Sequence, residues 1–146
     1  MTTCTACAIA NKSINSHIVF ENSNIICFLD HCPINQGHVL ICPRQHYPNI
    51  SDLPDDVLSD IARVAKRMAT VLSQTFKCDG VSLLQNNGAF NDLNHFHLHI
   101  FPRVTGNGFG WTVPSTSKAN SKGLAGIWTM LTQQNELLDQ LKTDMV

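Results

Sequence analysis

The apolar positions of the chain follow two different periods. Ser16 to Glu21 and Ile25-Ile26-Cys27-Phe28-Leu29 are short apolar-rich runs joined by the turn-prone Asn22-Ser23-Asn24, a pattern that predicts a β-hairpin. His38-Val39-Leu40-Ile41-Cys42 reads as a third strand, which follows the loop Pro33-Ile34-Asn35-Gln36-Gly37 and stops at Pro43, a residue with no N–H for a central ladder. From Pro54 to about Phe76 the period changes. Val57, Ile61, Val64, Met68, Val71, Leu72 and Phe76 recur at three- and four-residue spacing, predicting one long amphipathic helix with Asp55 and Asp56 at its N-terminus. Strand character returns at Val81-Ser82-Leu83-Leu84-Gln85 and at Phe96 to Phe101, across a loop rich in Asn and Gly. Leu124, Ile127, Trp128, Leu131, Leu137, Leu138 and Leu141 predict a helix from about Lys118 to Lys142.

Hairpin-like links with one long crossover imply an α+β fold: a mainly antiparallel five-stranded sheet, one long central helix and a C-terminal helix. At 146 residues, with no internal repeat or linker, the chain is expected to be a single domain over residues 1–146. Trp111 and Trp128 are expected to pack in a core rather than line a base pocket. Apolar residues make up 43% and charged residues 14%, which excludes a disordered or highly charged assembly factor. The formal charge of -1 gives no broad basic surface, so no nucleic-acid partner is expected, although single nucleotides are compatible with it. No apolar run is long enough to span a bilayer, and Met1 to Cys7 lacks a basic stretch followed by an apolar one. The expectation is a cytoplasmic protein, without membrane association, whose six cysteines stay reduced for metal binding or burial.

The densest chemistry is His95-Phe96-His97-Leu98-His99. Strand alternation puts its three histidines on one face and Phe96, Leu98 and Ile100 on the other, towards a core. Such a row has three readings: polar residues of a half-buried strand, ligands of a transition metal, or a nucleophilic imidazole with neighbours that serve a leaving group. Cys4-Thr5-Ala6-Cys7 has the spacing of half a zinc site, and by itself is equally a redox pair or two incidental thiols. Cys27, Cys32, Cys42 and Cys78 are expected to be buried or semi-buried thiols. The glycine-rich Gly106-Asn107-Gly108-Phe109-Gly110 lacks the lysine and the spacing of a phosphate loop.

His95-Phe96-His97-Leu98-His99-Ile100-Phe101 resembles the signature of the histidine triad (HIT) nucleotide hydrolases and transferases. Phe28-Leu29-Asp30, Gly37 to His46, Asn86-Asn87-Gly88 and Phe101-Pro102-Arg103 resemble that family's segments in the same order, so the likeness runs from Cys4 to about Trp111. The resemblance implies a HIT-like fold and attack by His97 on the α-phosphate of a nucleoside phosphoramidate or dinucleoside polyphosphate, through a nucleotidyl-histidine intermediate. It implies His99 beside the phosphate and leaving group, His38 supporting the active imidazole, Asp30 on the ribose hydroxyls and Asn86 shaping the phosphate site. For Asp30 the competing reading is a strand-end turn residue. The resemblance further implies a structural zinc on Cys4, Cys7, His46 and His95, a purine nucleotide substrate, and a homodimer. One departure is the loop Ala89 to Asn94, shorter than in many members and lacking their glutamine. Asn91 is the candidate stand-in, and a carboxylate at Asp92 would repel a nearby phosphate. The competing functions are a nucleotide-binding regulatory module with little catalysis, and a metal-dependent hydrolase that uses the triad as ligands.

Overall fold

Ile25–Leu29 (β2) and Val39–Pro43 (β3) are apolar at nearly every position because the sheet they form is covered on both faces. Ile25 and Cys27 of β2, with Val39 and Ile41 of β3, enter one core, while Ile26, Phe28, Leu40 and Cys42 enter another. This is pleated-strand alternation applied twice. With β1 (Ile18–Glu21), β4 (Gly80–Leu84) and β5 (Leu98–Arg103) they make a five-stranded sheet in the order β1-β2-β3-β5-β4. Every neighbouring pair is antiparallel, as the sequence pattern predicts. The coordinates are a computed structural model that describes residues 4–112 and 123–143.

The long helix α2 spans Asp55–Phe76, as predicted, with Asp55 and Asp56 in its first turn. It crosses the first face, burying Ile61, Ala65 and Leu72 against a core that includes Ile25, Ile41, Phe96 and Ile100. The second face is covered by α1 (Thr5–Ala10), a helix the apolar period does not reveal. Six residues cannot hold a helix alone in water. Here Ala6, Ile9 and Ala10 are pressed against Ile26, Phe28, Leu40 and Cys42, and tertiary burial stabilises what local propensity does not.

Local features fix the ends of the strands. The hairpin turn is held by the Asn22 side chain, whose Oδ1 accepts from the N–H groups of Asn24 and Ile25 at 2.9 and 2.7 Å. At the other end, β5 begins at Leu98 and not at Phe96, because its last partner on that side is Ile41 and β3 terminates at Pro43. Phe96 donates its N–H instead to the carbonyl of Tyr47, in the loop beyond β3. The stretch 95–97 therefore continues the strand direction outside the ladder, over the end of β3. Pro102 is tolerated inside β5 because the β3 ladder ends at Ile100, and beyond that point its carbonyl accepts from Asn35 Nδ2 at 2.8 Å. Gly37, just before His38, has φ +87°, and a Cβ there would collide with the Phe76 ring at the end of α2.

The chain divides into two compact units, Met1–Gly108 and Phe109–Val146. In the second, the predicted C-terminal helix is two helices, α3 (Leu124–Thr132) and α4 (Asn135–Thr143), interrupted at Gln133 and Gln134. The predicted start near Lys118 lies outside the described residues. The expected packing of the tryptophans is not found among the described residues: Trp111 is 86% exposed and Trp128 67%. Among the described residues, no helix is long and apolar enough to cross a membrane.

Candidate active site

Residue 95 stands where the chain leaves the sheet, and its ring is completely buried. Its Nε2 lies 2.9 Å from the carbonyl oxygen of Pro43, which can only accept, so the ring proton is on Nε2 and the Nδ1 lone pair is free. Nδ1 faces Cys4 Sγ at 3.3 Å and Cys7 Sγ at 3.5 Å, and His46 Nδ1 is 3.5 Å from Cys7 Sγ. The four donor atoms all lie within 4.8 Å of one another. Two sulfurs and two imidazole nitrogens converging in this way fit a tetrahedral ion with bonds of about 2.0–2.3 Å, and the Pro43 carbonyl fixes the tautomer that such an ion requires. Burial, and then the neighbouring Cys4, pushes the Cys7 thiol up to about 11; a cation between the sulfurs would supply the opposing charge that thiolates need. The sequence-predicted ligand set is thus brought together at one point. Of the other cysteines, Cys27 and Cys42 are buried and Cys78 half-buried, whereas Cys32 is exposed, because it sits in the loop after β2 and not within a strand.

His97 is also buried, on the sheet face opposite α2. Its Nδ1 lies 2.8 Å from the backbone carbonyl of His95. That carbonyl accepts the Nδ1 proton, so in the neutral ring the lone pair is on Nε2, which borders a cavity of about 480 Å³. The group that orients this imidazole is therefore a main-chain oxygen two residues upstream, which no side-chain motif announces. His38, expected to support the active imidazole, contacts His99 instead, with Nε2 and Nδ1 2.9 Å apart. The Ile34 N–H donates to His38 Nδ1 at 3.1 Å. This sequence of contacts assigns each tautomer in turn: His38 Nε2–H donates to His99 Nδ1, and His99 keeps its proton on Nε2.

Both rings are held neutral. Burial lowers the His38 pKa, opposed by the charge of Asp30, and burial, then repulsion from His97 and His38, lowers that of His99 to about 4. Asp30 Oδ2 lies 3.5 Å from His38 Nδ1 and 3.9 Å from His99 Nδ1, contacts between a carboxylate and uncharged rings and not ion pairs. Asp30 is both a turn residue and part of the cavity wall. Its Oδ1 accepts from the Cys32 N–H at 2.9 Å, as a turn residue does, and its side chain lines the cavity beside the histidines. Phe28, Ile34 and Leu40 add apolar lining.

The loop before the histidines behaves differently from expectation. Asn91 donates from Nδ2 to the Pro48 carbonyl at 2.6 Å and accepts the Leu93 N–H at 3.3 Å, so its amide pins the loop. Among the described residues, Asn86 and Asn91 do not line the cavity, and the Asn86 carbonyl accepts from Gln85 Nε2. Asp92, expected to repel a phosphate unless it points away or donates through its backbone, brings Oδ1 to 3.3 Å from His97 Nε2. The three triad rings do not form one metal-compatible group among the described residues; His95 is turned towards the thiols and His99 towards His38.

The HIT domain family matches residues 11–106. An adenosine 5'-monophosphoramidase of Candida albicans is 38% identical over 122 residues, which are 77% of this chain and 80% of that protein. The crystal structure of a histidine triad nucleotide-binding protein from Candida albicans superposes with a TM-score of 0.78 at 30% identity, covering 93% of this chain and 99% of that one. A zinc-bound histidine triad family protein from Mycobacterium smegmatis has a TM-score of 0.70 at 28% identity, over 77% of this chain and 84% of that one.

The neutral His38–His99 pair makes stability depend on pH. His99 titrates near 4 in the folded chain against an ordinary 6.5, so between those values the unfolded state binds more protons. The contribution of this ring, on the order of 2–3 kcal/mol, is complete above pH 6.5 and is lost as pH falls towards 4. Urea unfolding at pH 7 and pH 4.5 should show this loss, and a His99→Asn variant should show a smaller one. An equal pH dependence in the two proteins would contradict the assignment.

Proposed function

The chain belongs to the HIT domain family, the company of nucleotide hydrolases and transferases, and from that premise we propose that it is a nucleoside phosphoramidase working through His97. The observation that carries the reading is the hydrogen bond from His97 Nδ1 to the His95 carbonyl, which leaves Nε2, on a ring that lines the cavity, as the nitrogen able to attack once the Asp92 carboxylate beside it turns aside. Attack by the Nε2 lone pair on the α-phosphorus forms an N–P bond. The phosphorus–leaving-group bond breaks, and its electron pair departs with the amine nitrogen, which takes up a proton. Water then attacks the nucleotidyl-histidine, releasing the nucleoside monophosphate, one proton and the free imidazole. Uptake and release of that proton balance over the cycle.

His99, with its proton on Nε2, is positioned to donate to a phosphate oxygen, and His38 acts on His99 as a positioning residue. Asp30 accepts from the ribose hydroxyls, and a purine base occupies the apolar wall that includes Phe28 and Ile34. His97→Ala should lower kcat/KM on adenosine 5'-phosphoramidate by at least about 1000-fold. It should also abolish trapping of radiolabelled nucleotide on acid-quenched protein; turnover within tenfold of wild type would exclude this nucleophile.

Cys4, Cys7, His46 and His95 would hold a zinc ion whose contribution is structural, tying α1 and the His46 loop to the residue that precedes the nucleophilic strand segment. Metal analysis should give one zinc per chain. Cys4→Ala with His46→Ala should remove it and lower the melting temperature by several degrees. Full metal content in that double variant would refute the ligand set.

We propose that the protein is a homodimer. Among the described residues β4 is an edge strand, Leu83 on it is 47% exposed, and an apolar groove beside it is lined by Leu58, Ala62, Ala65 and Leu98. Light scattering should give twice the chain mass, and Leu83→Glu should shift the population to monomer. A wild-type monomer at micromolar concentration would rule this out.

A further inference from the structure

We propose that Asp92 selects substrates by the charge of the group that leaves phosphorus, admitting neutral or cationic amines and disfavouring anionic phosphate chains. The inference rests on the phosphoramidase reading above and assigns its leaving-group class. Its first support is the position of Asp92, whose Oδ1 is 3.3 Å from His97 Nε2. Phosphorus must come within about 3–3.5 Å of that nitrogen to react, so the carboxylate stands at the point of attack and must turn aside for substrate.

How far it moves is limited by the loop. Asn91 is tied to the Pro48 carbonyl and Leu93 to the Asn91 side chain, so the backbone on either side of Asp92 is anchored. The side chain itself is 80% exposed and free to rotate. A rotation clears the nucleophile yet keeps the negative charge at the cavity mouth, a few ångströms from the reacting phosphorus.

The second support is what the cavity contains. Its described lining residues include two carboxylates, Asp30 and Asp92, and neither lysine nor arginine. Lysine and arginine side chains are the strongest side-chain partners of a polyphosphate leaving group, through charge-assisted hydrogen bonds. Among the described lining residues His38 and His99 are neutral and the fixed charges are the carboxylates of Asp30 and Asp92, so an anionic leaving group meets repulsion and an ammonium-bearing one attraction. A unit charge about 4 Å away in an exposed setting changes a rate about fivefold, so reversing the sign of the leaving group's charge should change it by about 25-fold.

The test uses three adenosine 5'-phosphoramidates whose N-alkyl chains have equal length and end in an ammonium, an amide or a carboxylate. At low salt the wild-type protein should show a kcat/KM ratio of ammonium to carboxylate substrate of about tenfold or more, narrowing at about 0.5 M salt as screening sets in. Asp92→Asn should bring the ratio to within about twofold, and Asp92→Glu should restore most of it. A ratio unchanged in Asp92→Asn, or a wild-type preference for the carboxylate substrate, overturns the role of Asp92 while leaving the phosphoramidase reading intact, provided that labelled nucleotide is still trapped on His97. Failure of the wild-type protein to turn over any of the three overturns that reading and this inference together.

Discussion

Residue 95 is the constraint on which the site depends. Its backbone carbonyl accepts a hydrogen bond from His97 Nδ1–H, its own Nε2–H donates to the Pro43 carbonyl, and its Nδ1 faces the thiols of Cys4 and Cys7. One residue thus joins the end of β3, the N-terminal helix and the proposed nucleophile. None of these contacts would form if residues 95–97 stayed in the sheet ladder. They leave it because β3 ends at a proline and Phe96 finds its backbone partner at Tyr47. The end of the ladder has become the place where backbone carbonyls orient the rings of His95 and His97.

Burial gives this arrangement its chemical character. A buried imidazole resists protonation because the charged form loses its hydration. The His38–His99 pair is held neutral in this way, and the Ile34 N–H sets its tautomers in sequence. The carboxylate of Asp30 lies close but does not overcome burial. What remains is a set of directed lone pairs and N–H groups beside a cavity whose fixed charges, among the described residues, are the carboxylates of Asp30 and Asp92.

The two-sided sheet explains why the pieces meet. α2 closes one face with Ile61, Ala65 and Leu72, leaving the other for α1, the histidines and the cavity. α1 is short and has only Ala6, Ile9 and Ala10 to bury, so it depends on the apolar face of β2 and β3 beneath it and on the Cys4/Cys7 cluster at its start. A metal ion in that cluster would act on catalysis only through the position of His95.

The strands, the long helix and the row of histidines were legible in the sequence, because apolar period and side-chain alternation are local properties of a chain. The Cys4, Cys7, His46 and His95 set was legible only through family resemblance, since residues 91 positions apart share no local pattern. Three things were decided by tertiary structure. The short helix α1 exists because it is buried; His38 pairs with His99 and not His97 because of how β3 and β5 align, with Leu40 opposite His99; and Asn91 pins its loop while Asp92 reaches His97. Each depends on which atoms the fold brings within hydrogen-bond or van der Waals range across long sequence separations, or on how one particular turn is held, and residue order alone does not specify such distances.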